Sequence, residues 1–185
     1  MTMTSVRTTS EPDAELGARF ARETEPLFEV LARGARRLTR SAADAEDLLQ
    51  DTLLHAYAGF HTFHDGSNLK AWLFRILLNL YRNELRLHRR RGEHVPVETL
   101  LVEPSVAPAQ PGRIALNEMS KAIDTLNGEQ REALLLVVLE GLSYSEAADA
   151  LEIPLGTLMS RLGRARAALR KLTGSGEEPR LRTVK

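Results

Sequence analysis

Residues 143–172 read as two short helices on either side of a tight turn, and this pattern constrains the chain more than any other. Ser143 is an N-cap candidate, and Glu146 three residues later completes a Ser-x-x-Glu capping box. Tyr144, Ala147, Ala148 and Leu151 recur at the spacing of one buried helical stripe. Glu152 and Ile153 make the turn, and Pro154 suits the first turn of the next helix, where its missing N–H is no loss. In that second helix Leu158, Leu162, Ala165, Leu169 and Leu172 define a core face. Ser160, Gly163 and Arg164 point the other way, flanked by Thr157 and Met159, with Arg161 at the edge. No acidic residue occurs from Leu155 to Leu172. A helix-turn-helix of this kind offers its second helix to the DNA major groove. The plain alternative is an amphipathic helix whose basic face is only solvated.

Helix formers dominate the remainder and little of it alternates as strands do, so the fold class expected is all-α. Lys and Arg number 25, as do Asp and Glu, giving zero net charge. The distribution is more telling than the sum. Asp44, Glu46, Asp47 and Asp51 form an acidic block. Arg82, Arg86, Arg89, Arg90 and Arg91 form a basic one, followed by an acidic stretch from Asp124 to Glu152 and a basic one from Leu155 to Lys171. Such alternation suits a chain that meets both protein and nucleic acid. Cysteine is absent, which excludes disulfides and thiolate metal sites and makes a cytoplasmic location the default. No signal peptide or membrane-length apolar run is evident.

The order expected is a disordered N-terminus (1–13), a helical domain (14–92), an extended linker with four prolines (93–112), a second helical domain (113–173) and a flexible tail (174–185). Within the first domain, Ser41 and Asn68 are capping signals, and a loop near Phe63 to Asn68 precedes a long helix to about Arg91. Leu69, Trp72, Leu73, Ile76, Leu77 and Leu80 form its apolar stripe. Arg75, Asn79, Arg82 and Arg86 form a second stripe. Guanidinium groups so spaced can pair phosphate oxygens, and an amide can read a base edge. A solvated basic face is the alternative there too.

The five histidines form no spaced metal or triad constellation, and no Gly-rich phosphate loop is present. No enzyme, metal or cofactor is expected. His61, His64 and Asp65 lie close in sequence but lack a fourth ligand.

The segments DAEDLLQDT (44–52), AYAGF (56–60) and NLKAWLFRILLN (68–79), with the 126–172 segment, resemble the extracytoplasmic-function sigma factors. The resemblance implies a sigma region 2-like domain, a linker and a region 4-like helix-turn-helix domain. It also implies binding to the β and β′ subunits of core RNA polymerase, recognition of −10 and −35 promoter elements, and DNA opening for a stress regulon. By position, Asp47, Gln50 and Asp51 would contact polymerase. Phe63, Ser67, Asn68, Asn79, Arg82 and Arg86 would serve the −10 element, with a flipped base held by the loop. Thr157, Ser160, Arg161 and Arg164 would serve the −35 element, where Met159 and Gly163 depart from the long polar residues common in relatives. A finer resemblance to an actinobacterial stress subgroup implies a zinc-binding, redox-sensing anti-sigma partner. Two rivals remain: a sigma-like decoy that binds an anti-sigma protein without reading DNA, and a dimeric helix-turn-helix repressor.

Overall fold

Helix α1 (Glu11–Thr24) runs into a 3-10 turn at Glu25–Leu27, where Pro26 redirects the chain into α2 (Phe28–Leu38). The computed structural model describes residues 11–39, 41–90, 123 and 125–172. The linker with Glu98 and Glu103, the tail, and the first residues expected of the second domain lie outside them. Helix α1 starts at Glu11, slightly before the expected boundary.

Ser41 accepts a hydrogen bond from the Asp44 N–H at 3.0 Å and opens α3 (Ala42–Gly59), as its sequence implies. The stretch after Gly59 does not go straight into a loop: Phe60–Thr62 make a 3-10 turn that buries the Phe60 ring. Asn68 then caps α4 (Leu69–Arg90), its Oδ1 accepting from the Ala71 N–H at 3.2 Å.

The apolar stripe of α4 is broader than its sequence period suggests. Phe74 and Leu78 are fully buried beside Leu73 and Leu77, because α2 covers one flank of α4 and α3 the other. Trp72 is only partly buried, in a ring cluster with Phe60 and Phe63.

The C-terminal unit begins with Asn127, whose Oδ1 accepts from the Gln130 N–H at 2.9 Å and starts α5 (Gly128–Leu134). The helix does not keep one geometry and widens to a π turn over Leu135–Leu139. It closes with the Glu140 N–H on the Leu135 carbonyl, and Gly141 at φ +67° turns the chain away.

Helix α6 (Tyr144–Leu151) carries the full capping box. The Ser143 hydroxyl accepts from the Glu146 N–H at 3.2 Å, and the Ser143 N–H donates to Glu146 Oε2 at 2.8 Å. Ala147, Ala148 and Leu151 are buried as their spacing predicts, whereas Tyr144 is exposed and its hydroxyl accepts from Arg166. Helix α7 (Leu155–Leu172) follows, with the Pro154 carbonyl accepting from the Thr157 and Leu158 N–H groups. Leu158, Leu162 and Ala165 are buried and Leu169 is partly so, while the Leu172 side chain is outside the described residues.

Among the described residues every regular element is helical. The two units do not stand apart. Helix α4 packs along α6, and one apolar cluster of buried residues crosses between the units, from Leu31 and Phe74 on one side to Leu136 and Leu158 on the other, with Leu126, Leu134 and Ala165 in a second, smaller cluster. No described helix is long and apolar enough to cross a membrane.

Candidate nucleic-acid and polymerase interface

Three surfaces carry the residues singled out in the sequence. Asp47, Gln50 and Asp51 lie exposed on α3, away from its buried face of Ala45, Leu48, Leu49 and Thr52. Gln50 donates to Glu46 at 3.4 Å, so the acidic ridge is loosely held and open to a partner.

The second surface is α4 with the loop before it. Phe63 stacks on Phe60, centroids 5.8 Å apart and planes 5° from parallel, and sits 5.5 Å from Trp72. Ser67 turns back on His64, its N–H and hydroxyl both donating to the His64 carbonyl, and Gly66 supplies φ +90°. The loop is thus anchored by a ring stack at one end and a helix cap at the other. Asn79 is half-buried on the α4 face between Arg75 and Arg82.

This α4 face is not free. Arg82, Arg75 and Asn68 each meet a glutamate from the second unit. Arg82 Nη2 lies 2.6 Å from Glu132 Oε2, and Arg75 Nε lies 2.8 Å from Glu152 Oε1. Asn68 Nδ2 donates to Glu146 Oε1 at 2.7 Å. Beside them the Glu140 carboxylate receives Arg37 at 2.8 Å and Lys70 at 3.2 Å, and its side chain is only 2% exposed. Arg86 is exposed and bonds Asn83 at 3.0 Å.

The Glu146 carboxyl is held below its ordinary range, first by the Asn68 amide and then by the Ser143 hydroxyl and N–H. The sequence had an acidic block at Asp124 to Glu152 and a basic one at Arg82 to Arg91, and this opposition was the available signal for the contact. Nothing in the sequence marked Arg37, Lys70 or Glu140 individually.

The third surface is the outer face of α7. Thr157, Ser160 and Arg164 are exposed, as are Leu155 and Met159. Ser160 donates to the Gly156 carbonyl at 2.9 Å, leaving its oxygen lone pairs outward. Arg161 belongs elsewhere: its side chain is 15% exposed and Nη2 lies 2.9 Å from Glu129, so in this arrangement it braces α7 on α5. A Cβ at Gly163 would meet nothing within 4 Å, so packing gives no reason for a glycine there.

The Asp65 carboxylate, next to His61 and His64 in sequence, is taken by Arg19. Among the described residues no cluster of His, Asp or Glu is arranged to hold a metal ion.

The model of Sigma-70 region 2 matches residues 28–91, and that of Sigma-70, region 4 matches residues 116–169. The ECF RNA polymerase sigma factor EcfG of Rhodopseudomonas palustris is 42% identical over 73% of this chain and 74% of its own length. The chain belongs to the extracytoplasmic-function sigma factors. SigM of Mycobacterium tuberculosis is 34% identical over 78% of the chain and 71% of its own length. The sigma factor RpoE of Bartonella quintana, solved with the anti-sigma factor NepR, superposes with a TM-score of 0.71. It is 36% identical, over 86% of this chain and 99% of that one. The family acts in transcription initiation through regions 2 and 4, with promoter DNA as its target. The two matched regions fall on the two packed units described above.

Proposed function

We propose that the unit of residues 14–92 joins core RNA polymerase and the −10 element, while the unit of residues 113–173 reads the −35 element from the outer face of α7. The observation that supports this most is the α4 face. Asn68, Arg75 and Arg82 each hold a carboxylate oxygen, which supports reading them as groups for the anionic oxygens of a phosphate. Promoter DNA takes the place of Glu132, Glu146 and Glu152 once the two units part. Arg82 and Arg86 then hold phosphates. Asn79 reads a base edge, and the loop of Phe63, Ser67 and Asn68 holds a flipped base whose unstacking costs a few kcal/mol.

On α7, Arg164 and Ser160 read base edges and Thr157 contacts the backbone. Met159 offers apolar contact of the kind that suits a thymine methyl. Gly163 costs the helix about 1 kcal/mol against alanine without any packing return, which fits close approach of a duplex to that face. Arg161 reaches phosphate only by leaving Glu129. Asp47, Gln50 and Asp51 form the polymerase ridge on α3, with β and β′ as the subunits engaged.

The chain works in the cytoplasm and answers to an anti-sigma protein. Likeness to the Bartonella factor favours a partner akin to NepR. A zinc-binding, redox-sensing partner is the finer alternative that the sequence resemblance raised, and zinc analysis of the purified native complex separates the two.

Transcript mapping with reconstituted holoenzyme on a library randomised across both promoter elements tests the function. We expect defined −10 and −35 preferences. Asn79→Ala should flatten the first while leaving core binding intact, and Arg164→Ala should cost about 1–3 kcal/mol of discrimination in the second alone. No specific initiation, alongside tight anti-sigma binding, would make the chain a decoy.

A further inference from the structure

The loop before α4 has three supports, and the third comes from outside the DNA-reading elements. Phe63 is stacked at one end and Asn68 caps α4 at the other. Between them lies the tip, with Asp65 at 76% side-chain exposure and Gly66 in the left-handed region. Asp65 is a carboxylate at the place where a polyanion arrives.

Arg19 projects from α1 to this tip. Its Nη2 pairs with Asp65 Oδ1, its Nε holds Glu23 Oε1 at 2.8 Å, and its guanidinium lies 5.4 Å from the centroid of the Phe60 ring. That ring is the one on which Phe63 stacks, and Phe20 of α1 meets it edge-on at 5.1 Å. One guanidinium therefore touches both the tip of the loop and the aromatic floor beneath its first residue. Donating hydrogen bonds to Glu23 and Asp65 pushes the Arg19 pKa up, so it stays a cation.

We propose that Arg19 is a positioning residue for −10 recognition: it holds Asp65 so that the loop keeps its open-pocket shape, and it neutralises the tip against the DNA phosphates. This rests on the reading of the loop as the −10 pocket given above. Arg19 itself reads no base. Without it, an unpaired carboxylate is left on the loop, and like-charge repulsion acts where the DNA must pass closest. The loop is also free to swing about its ring-stacked and capped ends.

The test uses full-length chain with core polymerase and a promoter library randomised across −10, transcripts being sequenced. Arg19→Ala should lower the base preference at the loop-read position roughly threefold, the scale of one exposed ion pair. Preferences read by α7 should stay unchanged. Asp65→Asn in the Arg19→Ala background removes the stranded charge and should recover most of the output. The charge reversal Arg19→Asp with Asp65→Arg should recover the preference, which a purely structural loss at α1 would not allow. Thermal melts and core-binding measurements accompany each variant.

Wild-type preference in Arg19→Ala would overturn the proposal. Failure of both the neutralised and the reversed pair to recover anything would also overturn it, because Arg19 would then act on DNA directly or on the fold alone. Phe63→Ala separates the two levels. If it too leaves the −10 preference intact, the loop reading fails; if it flattens the preference while Arg19→Ala does not, only the role of Arg19 fails.

Discussion

Gly34 is the point where α2 comes closest to α4. A Cβ built there would lie 2.7 Å from Cε1 and 3.1 Å from Cζ of Phe74, a ring with no exposure at all. Glycine inside a helix costs about 1 kcal/mol against alanine, so the contact must outweigh that term. Forcing a methyl against a rigid buried ring costs roughly 1–3 kcal/mol. Gly34→Ala should therefore lower unfolding stability by about 1 kcal/mol net, and Phe74→Leu in the same chain should relieve part of it. Denaturant midpoints of the two singles and the double decide this, and purely additive losses would show that the ring is not what Gly34 accommodates. The sequence carried no sign of this pair, because Phe74 falls outside the stripe of Leu69, Trp72, Leu73, Ile76, Leu77 and Leu80. Glu152, placed in the turn by the sequence, has a role that its position alone does not reveal. It sits at φ 57° as the left-handed cap of α6, a place where glycine is usual. Its side chain meets Arg75, so the strained cap carries a contact that glycine lacks.

At the scale of elements, the helix starts were legible because capping is local chemistry. Ser41, Asn68, Asn127 and Ser143 each accept the backbone hydrogen bond that their position implies. The π turn at Leu135–Leu139 was not legible, since a run of apolar residues has no phase from which to infer a wider turn. The box at Ser143 and Glu146 yields a prediction about pH. The folded Glu146 carboxyl lies below its unfolded value, so its contribution is present above the unfolded value and is lost as pH falls through the folded one. Acidification below the ordinary glutamate range should weaken the start of α6 and its bond to Asn68 together. Ser143→Ala should cost about 1 kcal/mol at neutral pH and reduce that acid sensitivity. Amide exchange in α6 across pH reads both effects, and identical acid profiles for the two proteins would remove Ser143 as a cause of the acid sensitivity, leaving the Asn68 amide.

At the scale of the whole molecule, two units were expected from the sequence, but their contact was not, because it depends on side chains far apart in the chain. Glu132 and Glu140 are buried, and each faces cations of the other unit. Burying such charges costs nearly as much as their pairing returns, so the shared apolar cluster holds the units together while the pairs set their register. The exposed Arg75–Glu152 pair adds little energy. An arrangement built this way is specific without being tight, which fits the proposal that α4 is uncovered to meet DNA. Replacing Glu132, Glu140 and Glu152 together by glutamine removes the pairs with Arg82, Arg37, Lys70 and Arg75, and should therefore favour the separated form by about 1–3 kcal/mol, most of it from the two buried glutamates. Small-angle scattering should then show a larger radius of gyration, and a fluorophore pair on α2 and α7 should report lower transfer efficiency. Core polymerase should capture the variant faster than the parent chain, since less of the population must open first. Unchanged scattering and unchanged capture would mean that the apolar cluster alone decides the arrangement, and that the glutamates facing Arg75 and Arg82 exert no control over access to the proposed −10 surface.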